Sequence, residues 1–136
     1  MVKVCLLSMS AVFLLFLLGC GHDTQLASID VRPSSIVIIG RGANAKVQFT
    51  ADGHFVHPVE TRDITTQVKW TSTFPAVASI DSNGIATSGL SCGVTVITAT
   101  AGSNVGVPFT PQAITIATAQ FTVSDLSDPA CPHTTP

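Results

Sequence analysis

The chain has 136 residues, of which 46% are apolar and only 10% charged, and its formal net charge is -2. Six Lys and Arg against eight Asp and Glu leave no basic face to hold phosphates, which excludes nucleic acid as an expected partner. Aromatic residues make up 6% and Tyr is absent, which argues against a platform for sugar stacking.

In chain order, the first element is a nearly unbroken apolar run at 4–18 that follows Lys3 and stops at Gly19-Cys20. A bilayer core takes roughly 20 apolar helical residues to cross, so this run is short for a permanent anchor. A basic start, an apolar centre and a small residue before the break describe a cleaved export signal. Leu17-Leu18-Gly19-Cys20 also resembles the lipobox of bacterial lipoproteins. That resemblance implies cleavage before Cys20, lipidation of its thiol, and the membrane as a partner held through acyl chains. One chain holds marginally and two or more hold stably. It also implies residence in the bacterial cell envelope, and Gly21 in place of Asp after the cysteine points to the outer membrane. The alternative is an ordinary secretory signal followed by a coincidental cysteine. The expected organisation is a signal peptide at 1–19, a lipidated linker at 20–25, one folded domain at 26–124 and a C-terminal tail at 125–136.

Among the charged residues the leader carries only Lys3, so the remainder holds five basic against eight acidic side chains. Of the four cysteines, Cys5 leaves with the signal and Cys20 is taken by lipid. Cys92 and Cys131 then form an even pair in an oxidising compartment, for which a disulfide is the default and two free thiols the alternative. With no close-spaced cysteines and no His beside either one, a zinc site is not expected.

From Leu26 onwards no 3.6-residue apolar stripe is present. Short alternating runs bounded by Gly, Pro, Asn and Asp predict an all-β sandwich, with strands at 26–31, 36–39, 45–51, 67–72, 77–81, 85–87, 93–101, 114–118 and 120–124. In the third run Val47, Phe49 and Ala51 share the apolar face. DSNG, between Ile80 and Ile85, predicts a hairpin turn with Gly84 at positive φ. At 93–101 both registers carry apolar residues, and Ile97 and Ala99 are taken as inward. Trp70 and Val77 complete the expected core, with Trp70 as its largest member.

The stretch VKWTSTFPAVASIDSNGIATSGLSCGVTVITATAG resembles the bacterial immunoglobulin-like domain, group 2. The pattern is carried by Trp70, Ser72, Pro75, Val77, Ala78, Gly84, Gly93, Ile97, Thr98 and Ala99, with Val31-Arg32-Pro33 and Arg62-Asp63-Ile64-Thr65 upstream. The resemblance spans about 26–123. It implies an immunoglobulin-like Greek-key sandwich of about seven to nine strands, used in surface adhesion, envelope structure or carbohydrate contact. Cys92, where the family has a small residue, and the Pro-containing stretch at 102–113 depart from the pattern.

Three constellations look chemical. Gly89-Leu90-Ser91-Cys92-Gly93 matches G-x-S-x-G, and Asp125 or Asp128 and then His133 follow in hydrolase order. That motif needs a strand turning into a helix, whereas a β-branched run follows here, so no enzyme is expected. His54 and His57, with Asp52 and Glu60 nearby, are placed on a solvated loop without a third fixed ligand. Asp52, Glu60 and Asp63 lack the dense spacing of a calcium loop. Neither a cofactor nor a metal is therefore expected. The loop at 102–113 presents Val105, Val107 and Phe109 as a candidate contact patch, or alternatively as a cover for a sheet edge.

The sequence thus predicts a non-catalytic envelope lipoprotein with one immunoglobulin-like domain that acts in adhesion or binding of a protein or glycan. The alternatives are a structural or accessory envelope lipoprotein with no tight ligand and, more weakly, a carbohydrate-binding accessory module.

Overall fold

The computed structural model describes residues 24–42, 44–102 and 114–131. Among them the fold is all-β. Ten strands follow in order: β1 (Gln25–Arg32), β2 (Ser35–Ile39), β3 (Lys46–Gln48), β4 (Thr50–Val56), β5 (Glu60–Asp63), β6 (Lys69–Ser72), β7 (Ala78–Ile80), β8 (Ile85–Ser88), β9 (Gly93–Gly102) and β10 (Ile114–Ser124).

They form three sheets, ordered β1-β4-β5, β2-β10-β9-β6 and β3-β8-β7. β3 and β4 are halves of one run interrupted at Phe49, so the two three-stranded sheets join end to end as one layer against the four-stranded sheet. The break keeps its backbone groups paired, as buried polar groups require. Phe49 N–H donates to the Gly84 carbonyl at 2.8 Å, and the Gln48 side-chain amide donates to the Phe49 carbonyl at 2.7 Å. Pairing is antiparallel except between β2 and β10, which run parallel.

One apolar core lies between the layers. Phe49, Ile97 and Phe121 are fully buried, Trp70 and Val77 are nearly so, and Val47 packs against them half-buried. The Phe49 and Phe121 rings meet at 6.3 Å across the core. The Trp70 indole N–H donates to the Thr65 carbonyl at 2.8 Å, which satisfies its polar end inside. In β9 the inward residues are Thr95, Ile97, Ala99 and Ala101.

The turn at DSNG closes the β7–β8 hairpin, and Gly84 has φ of 79° there. A Cβ at Gly84 would lie 2.4 Å from the Phe49 carbonyl, so only glycine fits this close approach.

Several boundaries differ from the sequence expectation. β4 runs on to Val56 and β5 pairs with it, so His54 lies on a strand and not on a solvated loop. Alternation continues through Gly53, whose missing side chain leaves room for the packed ends of Ile64 and Leu26. β6 begins later than expected because the N–H groups of Gln67 and Val68 turn back to the Ile64 carbonyl. The two expected C-terminal strands are one, β10, whose exposed apolar residue Ile116 lies on the face opposite Phe121 and Val123.

Candidate functional site

Cys20, the Val105, Val107 and Phe109 patch, and His133 lie outside the described residues. The remaining candidates sort into three places.

The first is the C-terminal pole. Antiparallel pairing sets Gly93 opposite Val123, which brings the residue before β9 close to the tail after β10. Cys92 and Cys131 are joined there in a disulfide, with their Cα atoms 5.5 Å apart. Arg41, in the turn after β2, reaches Asp125 at 3.0 Å and Asp128 at 2.9 Å and so holds the same tail. The Ser127 hydroxyl and then its N–H donate to Asp125 and hold its carboxyl below the ordinary range against the opposing effect of burial, and Arg41 adds to the lowering. Among the described residues, Cys92, Asp128 and Cys131 bring ligand atoms within 4.8 Å of one another. Both sulfurs are bonded to each other and Asp128 faces a guanidinium, an arrangement that suits a structural clamp better than a cation. The G-x-S-x-G match has a packing explanation at its first glycine. A Cβ on Gly89 would lie 2.1 Å from the Ala76 carbonyl, and the Gly89 N–H donates to Val77 at 2.8 Å. Gly93 opens a strand, so the strand-to-helix turn that presents a nucleophile is not built here.

The second place is the outer face of β1-β4-β5. Register sets Asp30 opposite Asp52 and Asp52 opposite Asp63, three carboxylates in a row across neighbouring strands. Facing like charges are unfavourable, and each has a partner. Arg32 lies 3.9 Å from Asp52, His54 Nε2 lies 2.9 Å from Asp30, and the Thr65 N–H donates to Asp63 at 2.8 Å. The Thr65 hydroxyl, and then its N–H, hold the Asp63 carboxyl below the ordinary range. His54 Nδ1 is 2.9 Å from the Thr61 hydroxyl, so Thr61, His54 and Asp30 have the connectivity of a hydroxyl–imidazole–carboxylate triad. They sit on an open strand face, and among the described residues no helix supplies an N-terminus as an oxyanion site beside them. The sequence reading missed this ladder because its members come from three strands and only register aligns them. His57 belongs to the turn after β4.

The third place is an open cleft of 620 Å³ between β1 and β10, lined by Ile29, Asp30, Val31, Arg32, Ser34, Ile116, Ala117 and Thr118. It forms where β2 stops covering β10. Gln120 N–H donates to the Ser34 carbonyl and Gly40 N–H to Ser124, so even-numbered residues of β10 turn their backbone groups towards β2. The ladder ends at Gln120 opposite Ser35, so the backbone groups of Ile116 and Thr118 face the cleft with no strand beside them among the described residues. Across the cleft, the Ala51 backbone turns to Ile64 and Thr65, which leaves Thr50 and Asp52 to pair with Arg32 and Asp30. By alternation the backbone groups of Ile29 and Val31 then point into the cleft as well. Two strand edges thus line one groove, flanked by an acid, a base and hydroxyls.

In comparisons with known proteins, no family model matches the chain and no curated protein matches it.

Proposed function

We propose that this protein is a non-catalytic, lipid-anchored envelope protein whose immunoglobulin-like sandwich serves as a binding module, with the β1–β10 cleft as its site. Strand pairing supports the immunoglobulin-like part. β1, the β3–β4 run, β8 and β7 follow the A-B-E-D order of one immunoglobulin sheet, and β6, β9 and β10 follow the C-F-G order of the other. Trp70 lies on β6, in the place of the buried strand C tryptophan. The disulfide differs, since it ties the tail to the start of β9 and does not bridge the sheets.

The observation that carries the binding reading is the cleft itself. Backbone donors and acceptors on two strand edges recognise an extended protein segment by main-chain hydrogen bonds, with Asp30 and Arg32 selecting its charges. A glycan is the second choice, because among the described residues no aromatic side chain lines the groove to stack on a sugar ring.

The test immobilises the full chain and measures retention of envelope and host-surface proteins. Saturable retention that free protein competes away, and that Arg32→Glu and Thr118→Pro both abolish, supports the module. Thr118→Pro removes an N–H directed at the cleft and leaves the β9 ladder intact. Retention unchanged in both variants moves the site elsewhere. No saturable retention from folded protein favours the structural lipoprotein. Anchoring is tested separately: Cys20→Ser is expected to abolish incorporation of a fatty-acid label and to release the protein from the membrane fraction.

A further inference from the structure

The two outer faces of the molecule are chemically opposite. The face of β1-β4-β5 carries Asp30, Arg32, Asp52, His54 and Asp63. Among the described residues the outward positions of β2-β10-β9-β6 carry one charge, Lys69 on an edge strand, and no carboxylate. Aliphatic side chains stand open there, with Ile116 60% exposed, Val37 44%, and Val94 and Val96 39% each. A ladder of hydroxyls, Thr71, Thr98 and Thr118, crosses three strands in register between them.

A sheet with one wet face alternates apolar inward and polar outward, whereas strands covered on both faces read as continuous apolar runs. SIVII in β2 is of the second kind and β9 adds Val94 and Val96, yet among the described residues these outward aliphatic side chains stay open. We propose that a second copy of the chain packs on this face, sheet against sheet, across a two-fold axis.

Three properties select a second copy as the occupant. A hydroxyl both donates and accepts, so a threonine ladder pairs with its own image whichever partner donates. A face without carboxylates meets itself without burying an unpaired charge, and charge is what interface centres lack. Four strands at about 4.8 Å spacing cover roughly 500 Å² in plan before side-chain relief is counted. That lies just below the small end of standard interfaces, about 600 Å² per partner, and fits a modest, reversible association. A lipid surface fits less well, because one lysine gives little attraction to anionic headgroups and the hydroxyl ladder would lose its partners in hydrocarbon.

The test uses the full chain in its own cells, with single cysteines introduced as Val37→Cys, Val96→Cys, Thr98→Cys and Ile116→Cys, and with Thr61→Cys as a control on the polar face. Mild oxidation is expected to give a product of doubled mass from at least one neutral-face position, and none from Thr61→Cys or the parent chain. Adding Val94→Glu to the linking variant is expected to reduce that product by at least about tenfold. Three outcomes would overturn the proposal: no doubled product from any of the four positions in protein that retains its Cys92–Cys131 bridge, products only with other proteins, or a doubled product that Val94→Glu leaves unchanged.

Discussion

At the residue scale, Trp70 carries the most. It is the single tryptophan, lies on a four-residue strand, and combines a buried ring with a satisfied N–H. Trp70→Ala is expected to cost about 3 to 5 kcal/mol, as truncation of a large core aromatic does. Denaturant unfolding of the full chain measures the cost, and an unshifted midpoint would place the ring outside the energetic core. Asp63 and Asp125 set the acid limit. Hydroxyl and N–H donors lower both carboxyls in the folded protein, so their stabilisation is present above the ordinary Asp value of about 3.9 and is lost as pH falls through the lowered folded values. Stability is therefore expected to decline with acidification below about pH 4. Ser127→Ala, which removes the hydroxyl bound to Asp125, is expected to make that decline shallower. A stability that rises on acidification through this range would reverse the assigned sign.

At the scale of elements, the tail after β10 is fixed twice, by the disulfide and by Arg41. The bridge closes a separation of 39 residues, worth about 4 kcal/mol in the chain-entropy account. Reduction is expected to lower the unfolding free energy by up to that amount, read as a shift in denaturation midpoint with and without reductant. An unchanged midpoint would mean that Arg41 and the packing of the tail suffice. Other elements show why local pattern misplaces boundaries. The third run looks like one strand because Val47, Phe49 and Ala51 alternate without a break. Its two halves nevertheless pair with different partners, and Phe49 lies between them with its N–H given to Gly84. β10 looks like two strands because its apolar residues change face along its length, from Ile116 to Phe121 and Val123.

At the scale of the whole molecule, polar and neutral faces are segregated on opposite layers and the cleft opens beside the start of β10, which β2 does not reach. The module and the self-association face are separable at Arg32, which belongs to the cleft alone, and at Val37 and Val96, which lie away from its lining, whereas Ile116 and Thr118 belong to both. Arg32→Glu is expected to lose retention and keep the doubled product, and variants at Val37 or Val96 to do the reverse. Joint loss would mean that the second copy builds the binding site.

The sequence by itself determined the all-β class and the β7–β8 hairpin with its glycine, because both depend on short-range alternation and turn geometry, whereas both sides of β9 carry apolar residues and only packing turned Ile97 and Ala99 inward. It also left Cys92 and Cys131 as an even pair once Cys5 and Cys20 are assigned to the expected signal and lipid anchor. Only the tertiary structure decided that His54 reaches Asp30 and Thr61, that three aspartates line up, and that β1 and β10 leave a groove between them. Those features depend on register and on which strand stops first. A one-residue slip in pairing would dissolve them while leaving every local pattern in the chain unchanged.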